Sequence, residues 1–586
     1  MPFCRLGEGS TLSAIHDLKK LEPQIDEQIA ALPLFSQPIQ ATLSVLANAI
    51  FELLHGASRP ATSETRANGG SFVGRMAYLA NLLARCSGSP FTLRTVDAMR
   101  RIYEIDSNGA QLQRLAAYAH FSELMPQVHR DLYTIGRSNN SFVLDFKPDF
   151  ASAEAQDILL SELALGFGVA ASYLEGEFER LCEFPESKES KVDVNTLKTL
   201  YAHNLETIFD LPLISDAALV SLIGVPHANF EKFQAAVWAT ADYALGMAAT
   251  LFRRWRKGGG IDNEIEYEAY QWTLPCWDHE YTFSLWELLS GLPSLTVARL
   301  ADAFAIDFTK GNKQTKRSGD GFFPPLILVP GAVMFVPDLV LNFVHLRNVL
   351  YGIQKADPKA FDKIVSKELE PKLLSVMAAL FGKFHNVRVI KNVVWTSGET
   401  KGEIDLLVVD VKSKIALQLQ VKAPLAPHGQ RMVARLETRV QEGIAQLQRF
   451  RTLPAHEIDR IINQACCTNL TDIEILDVLA CRAAFGTFAV RKELGNIHLL
   501  SLPVLALAQR EFSDQQDTAQ LTAVLDWCDK YIQQLPERAQ AKWVRNQLNV
   551  EGTILDIPLL KLDDEAIRTD IIRSATTLIS RDISRR

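Results

Sequence analysis

The chain has 586 residues, 47% of them apolar and 22% charged, with a formal net charge of −8. That length exceeds one ordinary hydrophobic core and implies two to four domains, and the composition excludes a disordered chain. The acidic total excludes nucleic-acid binding by a general polycation, so any such contact must be a local basic patch.

Residues 1–20 lack an apolar core long enough for a signal peptide. Helical periodicity dominates 39–55, 75–86, 155–184 and 230–255, and only a short stretch at 141–146 alternates like a strand. No period of 20 to 50 residues recurs, which argues against a regular helical solenoid. Residues 1–308 therefore read as a mostly α-helical region. Its sub-boundaries fall at the charged connector 186–191 and at 256–263, where Gly258, Gly259 and Gly260 suggest a flexible joint. Arg114 and His120 fit a loose Arg-x5-His pattern resembling that of HEPN ribonucleases, but ordinary helix flanks make chance the better explanation. Cys276, Asp278, His279 and Glu280 cluster near Trp272 and Trp277, as the acidic first turn of a helix also would. The eight cysteines show no Cys-x-x-Cys pair and no zinc-finger spacing, which reads as reduced thiols in a cytoplasmic protein.

Residues 309–325 form the clearest linker and carry Lys310, Lys313, Lys316 and Arg317. The apolar run 326–341 is broken by Pro330, Gly331, Pro337 and Asp338, too interrupted to span a membrane. It reads as a buried hairpin followed by a helix. A helix over 360–381 is interrupted at Pro371, and 384–395 reads as a strand. After the hairpin 403–422 come a helix over 431–450, strands at 473–482 and 496–502 with Leu505 following, and a helical tail over 511–586. The expected class is α+β and multidomain: a mostly α-helical N-terminal half, then a small mixed β-sheet flanked by helices within 326–510.

The hairpin 403–422 carries the chemistry. A symmetric register with Asp410 facing Ile415 sets Asp405 opposite Gln420 and Glu403 opposite Lys422. Opposite residues share a face. The four polar side chains would therefore gather at one end, with Ile404, Leu406, Val408, Leu417, Leu419 and Val421 forming the core behind them. Two carboxylates, an amide and an ammonium crowded together are costly for a structural hairpin. They suit a divalent-metal site.

Gly402-Glu403-Ile404-Asp405 followed by Gln420-Val421-Lys422 resembles the signature of the PD-(D/E)XK nuclease superfamily. The Gln-x-Lys form is similar to its Mrr-like members, and the Glu-Ile-Asp-Leu-Leu-Val run to its nuclease-related-domain members. The resemblance covers about residues 353–505, the usual size of such a core. It implies a restriction-endonuclease-like α/β core and an endonuclease hydrolysing DNA with Mg2+ or Mn2+, in defence against foreign DNA such as viral genomes. In that role Asp405, Gln420 and Lys422 are catalytic. Asp405, Gln420, Glu403 and Glu370 hold the metal, with Glu368 an alternative to Glu370 on the preceding helix. Gln446 resembles the Gln of the Gln-x-x-x-Tyr motif of RecB-like nucleases, with Phe450 in place of Tyr. Arg431, Arg435 and Arg439 recur every four residues on the same helix and, with Gln446, form the nucleic-acid-binding set. Surface pairs such as Arg439 with Glu442 explain the arginines equally well.

The implied partner is DNA, with RNA its alternative and no membrane; a protein partner or a second copy is left to the helical half. The competing reading is a nuclease fold without turnover that serves as a nucleic-acid-binding or oligomeric scaffold module. Gln420 and the acidic total charge favour it, and Asp405 together with Lys422 opposes it.

Overall fold

The computed structural model describes residues 8–56, 62–88, 109–138, 141–147, 150–166, 192–207, 214–309, 323–384, 387–425, 430–512 and 520–561. The connector 186–191 and most of the linker 309–325 lie outside them. Helices α1 (Glu8–Ala30), α2 (Ile39–His55), α3 (Ser63–Leu83) and α4 (Ala110–His129) precede a hairpin of β1 (Tyr133–Ser138) and β2 (Ser141–Phe146). Then follow α5 (Phe150–Gly166), α6 (Val194–Thr207), α7 (Asp216–Ile223), α8 (His227–Lys257) and α9 (Asn263–Thr273). Among the described residues one helix, α8, is long and apolar enough to cross a membrane, but 89% of its apolar window is buried inside the protein. It is a core helix, burying Phe233, Trp238, Tyr243 and Phe252. The stretch 256–263 is a turn between the packed helices α8 and α9. Gly259 and Gly260 supply positive φ there, and Asp262 caps α9 by accepting from Glu264 N–H.

Next come β3 (Cys276–Asp278), α10 (His279–Ser290), α11 (Ser294–Ala303), β4 (Ala305–Asp307), β5 (Leu326–Val329), β6 (Ala332–Phe335), α12 (Pro337–Phe343) and α13 (Leu346–Ala356). The expected hairpin around Pro330-Gly331 is β5–β6, whose residues are all buried, with Gly331 at φ +83°.

The remainder runs α14 (Pro358–Ile364), a π-helical turn (Val365–Leu369), α15 (Glu370–Phe381), β7 (Val387–Ser397), β8 (Thr400–Asp410), β9 (Ile415–Lys422) and α16 (Gln430–Arg451). It closes with α17 (Ala455–Cys466), β10 (Glu474–Cys481), α18 (Phe488–Arg491), β11 (His498–Ser501), α19 (Leu502–Glu511), α20 (Leu521–Arg538), β12 (Lys542–Val550) and β13 (Thr553–Lys561). The helix expected over 360–381 is divided just before Pro371. The preceding chain widens into the π turn, leaving Pro371 in the first turn of α15, where its missing N–H costs nothing.

The structure is α+β, and among the described residues it has three four- or five-stranded sheets, ordered β1-β2-β13-β12, β3-β6-β5-β4 and β11-β10-β9-β8-β7. One buried apolar cluster runs from α8 through α13 and α15 to β8, β9, α16, α19 and α20. The opposite face of β7–β9 is covered by Ile458, Ile461 and Ile462 of α17. Two expectations are corrected. Leu505 lies in α19, not on a strand, because Pro503 starts a helix directly after β11. The region after 511 is not wholly helical: 542–561 is an antiparallel hairpin. Glu551 and Gly552, both at positive φ, close it with the two-residue turn that matches strand twist.

One buried side chain makes the fold acid-sensitive. His345 is 2% exposed and its imidazole is pushed down to about 3, by burial first and then by Arg347. A depressed histidine stabilises the folded state above the unfolded value near 6.5, and that contribution is lost as pH falls. Between pH 6.5 and 5 the loss is about 2 kcal/mol, at 1.36 kcal/mol per unit. Asp157, pushed up to about 6 by burial, acts in the opposite sense over the lower part of that window. Urea midpoints at pH 7 and pH 5 should therefore fall less in His345→Gln than in the wild type. An equal fall in both would remove His345 from the pH response.

Candidate active site

Strand β9 lies inside the five-stranded sheet, antiparallel to β8 and parallel to β10, and all its residues are buried. The β8–β9 ladder starts at Asp410↔Ile415, in the symmetric register. Asp410 stabilises the turn by accepting from Lys412 N–H at 2.9 Å and Ser413 N–H at 3.1 Å. The ladder stops at Leu406↔Leu419, although both strands continue.

Past that point the strands fork, and side chains replace the ladder. Asp405 Oδ2 accepts Val421 N–H at 2.7 Å, and Gln420 Nε2 donates to the Glu403 carbonyl at 2.7 Å. Asp405 with Gln420 and Glu403 with Lys422 are therefore not backbone pairs. The cause extends to the next strand. The β7–β8 ladder skips Asn392 and Asp405, and Asn392 has φ +55°. Faces swap there: Ile404 packs on the α17 side with Leu407 and Val409, whereas Leu406 and Val408 face the other way. Strict alternation cannot put residues 404 and 407 on one side. Ile404 is thus not in the expected core set, and Asp405 sits at the twist with its carboxylate turned edgewise to β9.

Two further elements, α15 and α16, reach the fork. Glu370, in the first turn of α15, is half-buried. Burial raises its carboxyl, Lys422 draws it down and Asp405 raises it, so it feels both site residues. The Asp405 carboxyl is raised by burial, against the Val421 N–H and Lys422, with Glu403 adding to the rise. Lys422 is buried, and its Nζ donates to Gln446 Oε1 of α16 at 2.8 Å. Gln420 is 1% exposed, and its Oε1 has no hydrogen-bond partner among the described residues.

Gly443, one turn before Gln446, makes this crossing fit. A Cβ there would lie 2.6 Å from Leu479 Cδ1 and 3.3 Å from Lys422 Cε. The sequence offered one signal, a glycine inside an otherwise regular amphipathic helix. Gly443→Ala should lower stability by about 1–2 kcal/mol, because overpacking outweighs the roughly 1 kcal/mol gain in helix propensity. A chemical-denaturation curve tests this; a stabilised variant would show that the crossing is not tight.

The other predicted residues are placed differently. Glu403 has an exposed side chain and acts on Asp405 only through its field. Glu368 Oε2 accepts Ser215 N–H at 2.8 Å, so Glu370 is the acid that faces the fork. Arg435 donates to the Gln354 carbonyl at 3.3 Å. Arg439 pairs with Asp362 at 2.5 Å and Glu442 at 3.1 Å. The Arg431 side chain lies outside the described residues. Phe450 is buried against Trp395, with ring centroids 5.5 Å apart. Arg114 forks onto Glu551 and Asp278 caps α10 by accepting from Tyr281 N–H, structural roles for both discounted motifs.

Asp405 and Glu370, both hard oxygen donors, feel the charge of Lys422, and the Gln420 amide lies two residues before that lysine on β9. Among the described residues, no three His, Cys, Asp or Glu side chains gather closely enough to hold a metal by themselves. A cation here would need the Gln420 oxygen and water to complete its shell. That donor set fits Mg2+ or Mn2+, which keep several waters, and a cation would satisfy the orphaned buried Gln420 oxygen. Compared with family models, with curated proteins and with solved structures, the chain matches none.

Proposed function

We propose that the chain is a Mg2+- or Mn2+-dependent nuclease hydrolysing DNA phosphodiester bonds, with β7–β11, α15 and α16 as a PD-(D/E)XK-like core. The observation that carries this reading is the fork itself: Asp405 and Glu370 share the field of one buried lysine, beside a buried amide oxygen without a partner. Asp405, Glu370 and Gln420 would hold the ion. When bound, it supplies Lewis acidity to a phosphate oxygen and lowers the pKa of its water. Lys422, anchored by Gln446, presents an ammonium to the scissile phosphate and offsets charge that develops during attack. Asp405 is fixed by the Val421 N–H, so its free oxygen keeps one orientation. Defence against foreign DNA is the setting that the PD-(D/E)XK-like signature suggests.

Both carboxyls must be ionised to bind a cation, and both are held above the ordinary carboxylate range. Protons therefore compete with the ion for these carboxyls, so Mn2+ affinity measured by calorimetric titration should fall from pH 7 to pH 5. The second reading, a scaffold that binds nucleic acid without turnover, is favoured by Gln420, an amide that brings no charge to a cation. Incubation of purified protein with supercoiled plasmid, Mn2+ or Mg2+, and then chelator separates the two. Metal-dependent nicking that disappears in Asp405→Asn supports the nuclease; equal nicking by the variant identifies a contaminant and leaves the scaffold.

A further inference from the structure

A buried polar junction ties the amino-terminal helices to both supports of Lys422. The segment 482–487 leaves β10 directly after Cys481, the ladder partner of Lys422. Three consecutive N–H groups of this segment end on buried carboxylates from two other elements. Asp157 of α5 accepts Phe485 N–H at 2.8 Å and Gly486 N–H at 3.0 Å. Glu437 of α16 accepts Thr487 N–H at 2.5 Å and also takes the Thr487 hydroxyl. Gly486 has φ +99°, and a Cβ there would lie 2.3 Å from Glu437 Cγ, so only glycine lets the loop press on α16. Arg130, which ends α4, pairs with the second oxygen of Glu437. Arg491 reaches Asp157 at 3.6 Å and bonds Gln156.

Asp157 and Glu437 are 5% and 6% exposed. Buried charge of this kind is a poor way to gain stability alone, because apolar packing of equal volume does as well or better. What it fixes is geometry. Glu437 lies on the helix that carries Gly443 and Gln446, and the gripped loop continues the strand paired with Lys422. Both routes to the lysine therefore end in contacts made by α4 and α5.

We propose that Asp157 and Glu437 are positioning residues through which the amino-terminal helices hold Lys422 in place. The functional meaning of this clamp rests on the nuclease reading above; the coupling itself needs no turnover to be measured.

The test uses the full chain and two variants, Asp157→Asn and the milder Arg130→Gln, whose parent side chain is 21% exposed. Asp307→Asn, in the separate β4 sheet, serves as a control for general destabilisation. Hydrogen exchange is followed by mass spectrometry, and the accessibility of buried Lys422 by its rate of acetylation with an amine reagent at one fixed pH. In both clamp variants, exchange at 418–424 and 440–448 should rise about tenfold or more, the signature of local opening rather than global unfolding. The rate of Lys422 labelling at fixed pH should rise toward that of exposed Lys401, while β7 and the Asp307→Asn control stay as in the wild type. Faster exchange confined to 482–488 with Lys422 labelling unchanged would overturn the clamp, as would a uniform rise across all three sheets. Moved labelling in a chain that cleaves no DNA leaves the clamp standing and defeats the nuclease reading. Unmoved labelling in a chain whose cleavage depends on Asp405 does the reverse.

Discussion

Lys422→Met is expected to lower metal-dependent DNA cleavage by about three orders of magnitude while the protein stays folded. The methionine keeps the aliphatic stem that fills the buried crossing at Gly443 and removes only the ammonium. Loss of one positioned charge or proton-transfer group in an active site typically costs 10²–10⁴ in rate. Gln446 is exposed, so water can replace the lost donor and little stability is forfeited. Asp405→Asn should have a comparable effect on rate, because the amide oxygen can still accept the Val421 N–H but brings no charge to a cation. Combined, the two changes should cost scarcely more than either alone, as for residues acting as a unit. Plasmid cleavage rates with matched melting curves decide the matter; wild-type rates in both variants would end the assignment of the fork as an active site.

Gln420→Glu should be destabilised by about 3–5 kcal/mol in chelator, the usual cost of an unpaired buried charge. The new carboxylate would face the Glu403 carbonyl, which now receives the Gln420 amide N–H, and would lie near Asp405. Protonation relieves the clash, so the cost should shrink at pH 5 and grow toward pH 8. Mn2+ or Mg2+ should restore most of the loss, since an ion bound to the folded state alone stabilises it by mass action. Gln420→Leu should melt close to the wild type and bind metal more weakly. Thermal melts of both variants with and without Mn2+ provide the measurement. A Glu variant that gains nothing from metal would take Gln420 out of any ion's shell.

The hairpin register, the buried β5–β6 turn and the long helix α16 were legible because each is dictated locally. Alternation, a turn capped by Asp410, a Pro-Gly pair and 3.6-residue spacing all act over a few residues. The fork was not legible, because it depends on Asn392 adopting positive φ on the neighbouring strand. Which acid faces the site was equally hidden. Glu368 and Glu370 are two residues apart, and a π turn combined with a contact to Ser215 sorts them. The arginine spacing could be read, but the partners Gln354 and Asp362 come from α13 and α14, far away in sequence. The β12–β13 hairpin escaped notice because its two-residue turn is Glu-Gly, a weaker signal than Asn-Gly.

The first sheet joins distant parts of the chain: β13 pairs in parallel with β2, Ile554 against Ser141 and Asp556 against Val143. Arg545 reinforces the seam by donating to the Leu144 carbonyl and to Asp145. During synthesis the early hairpin must therefore wait for roughly four hundred further residues to leave the ribosome before its sheet can close. Such long-range pairing is slow to form and leaves a strand edge open meanwhile. A nascent chain halted before residue 540 should expose that edge to chaperones, and a tag or cut between α20 and β12 should be felt at β2.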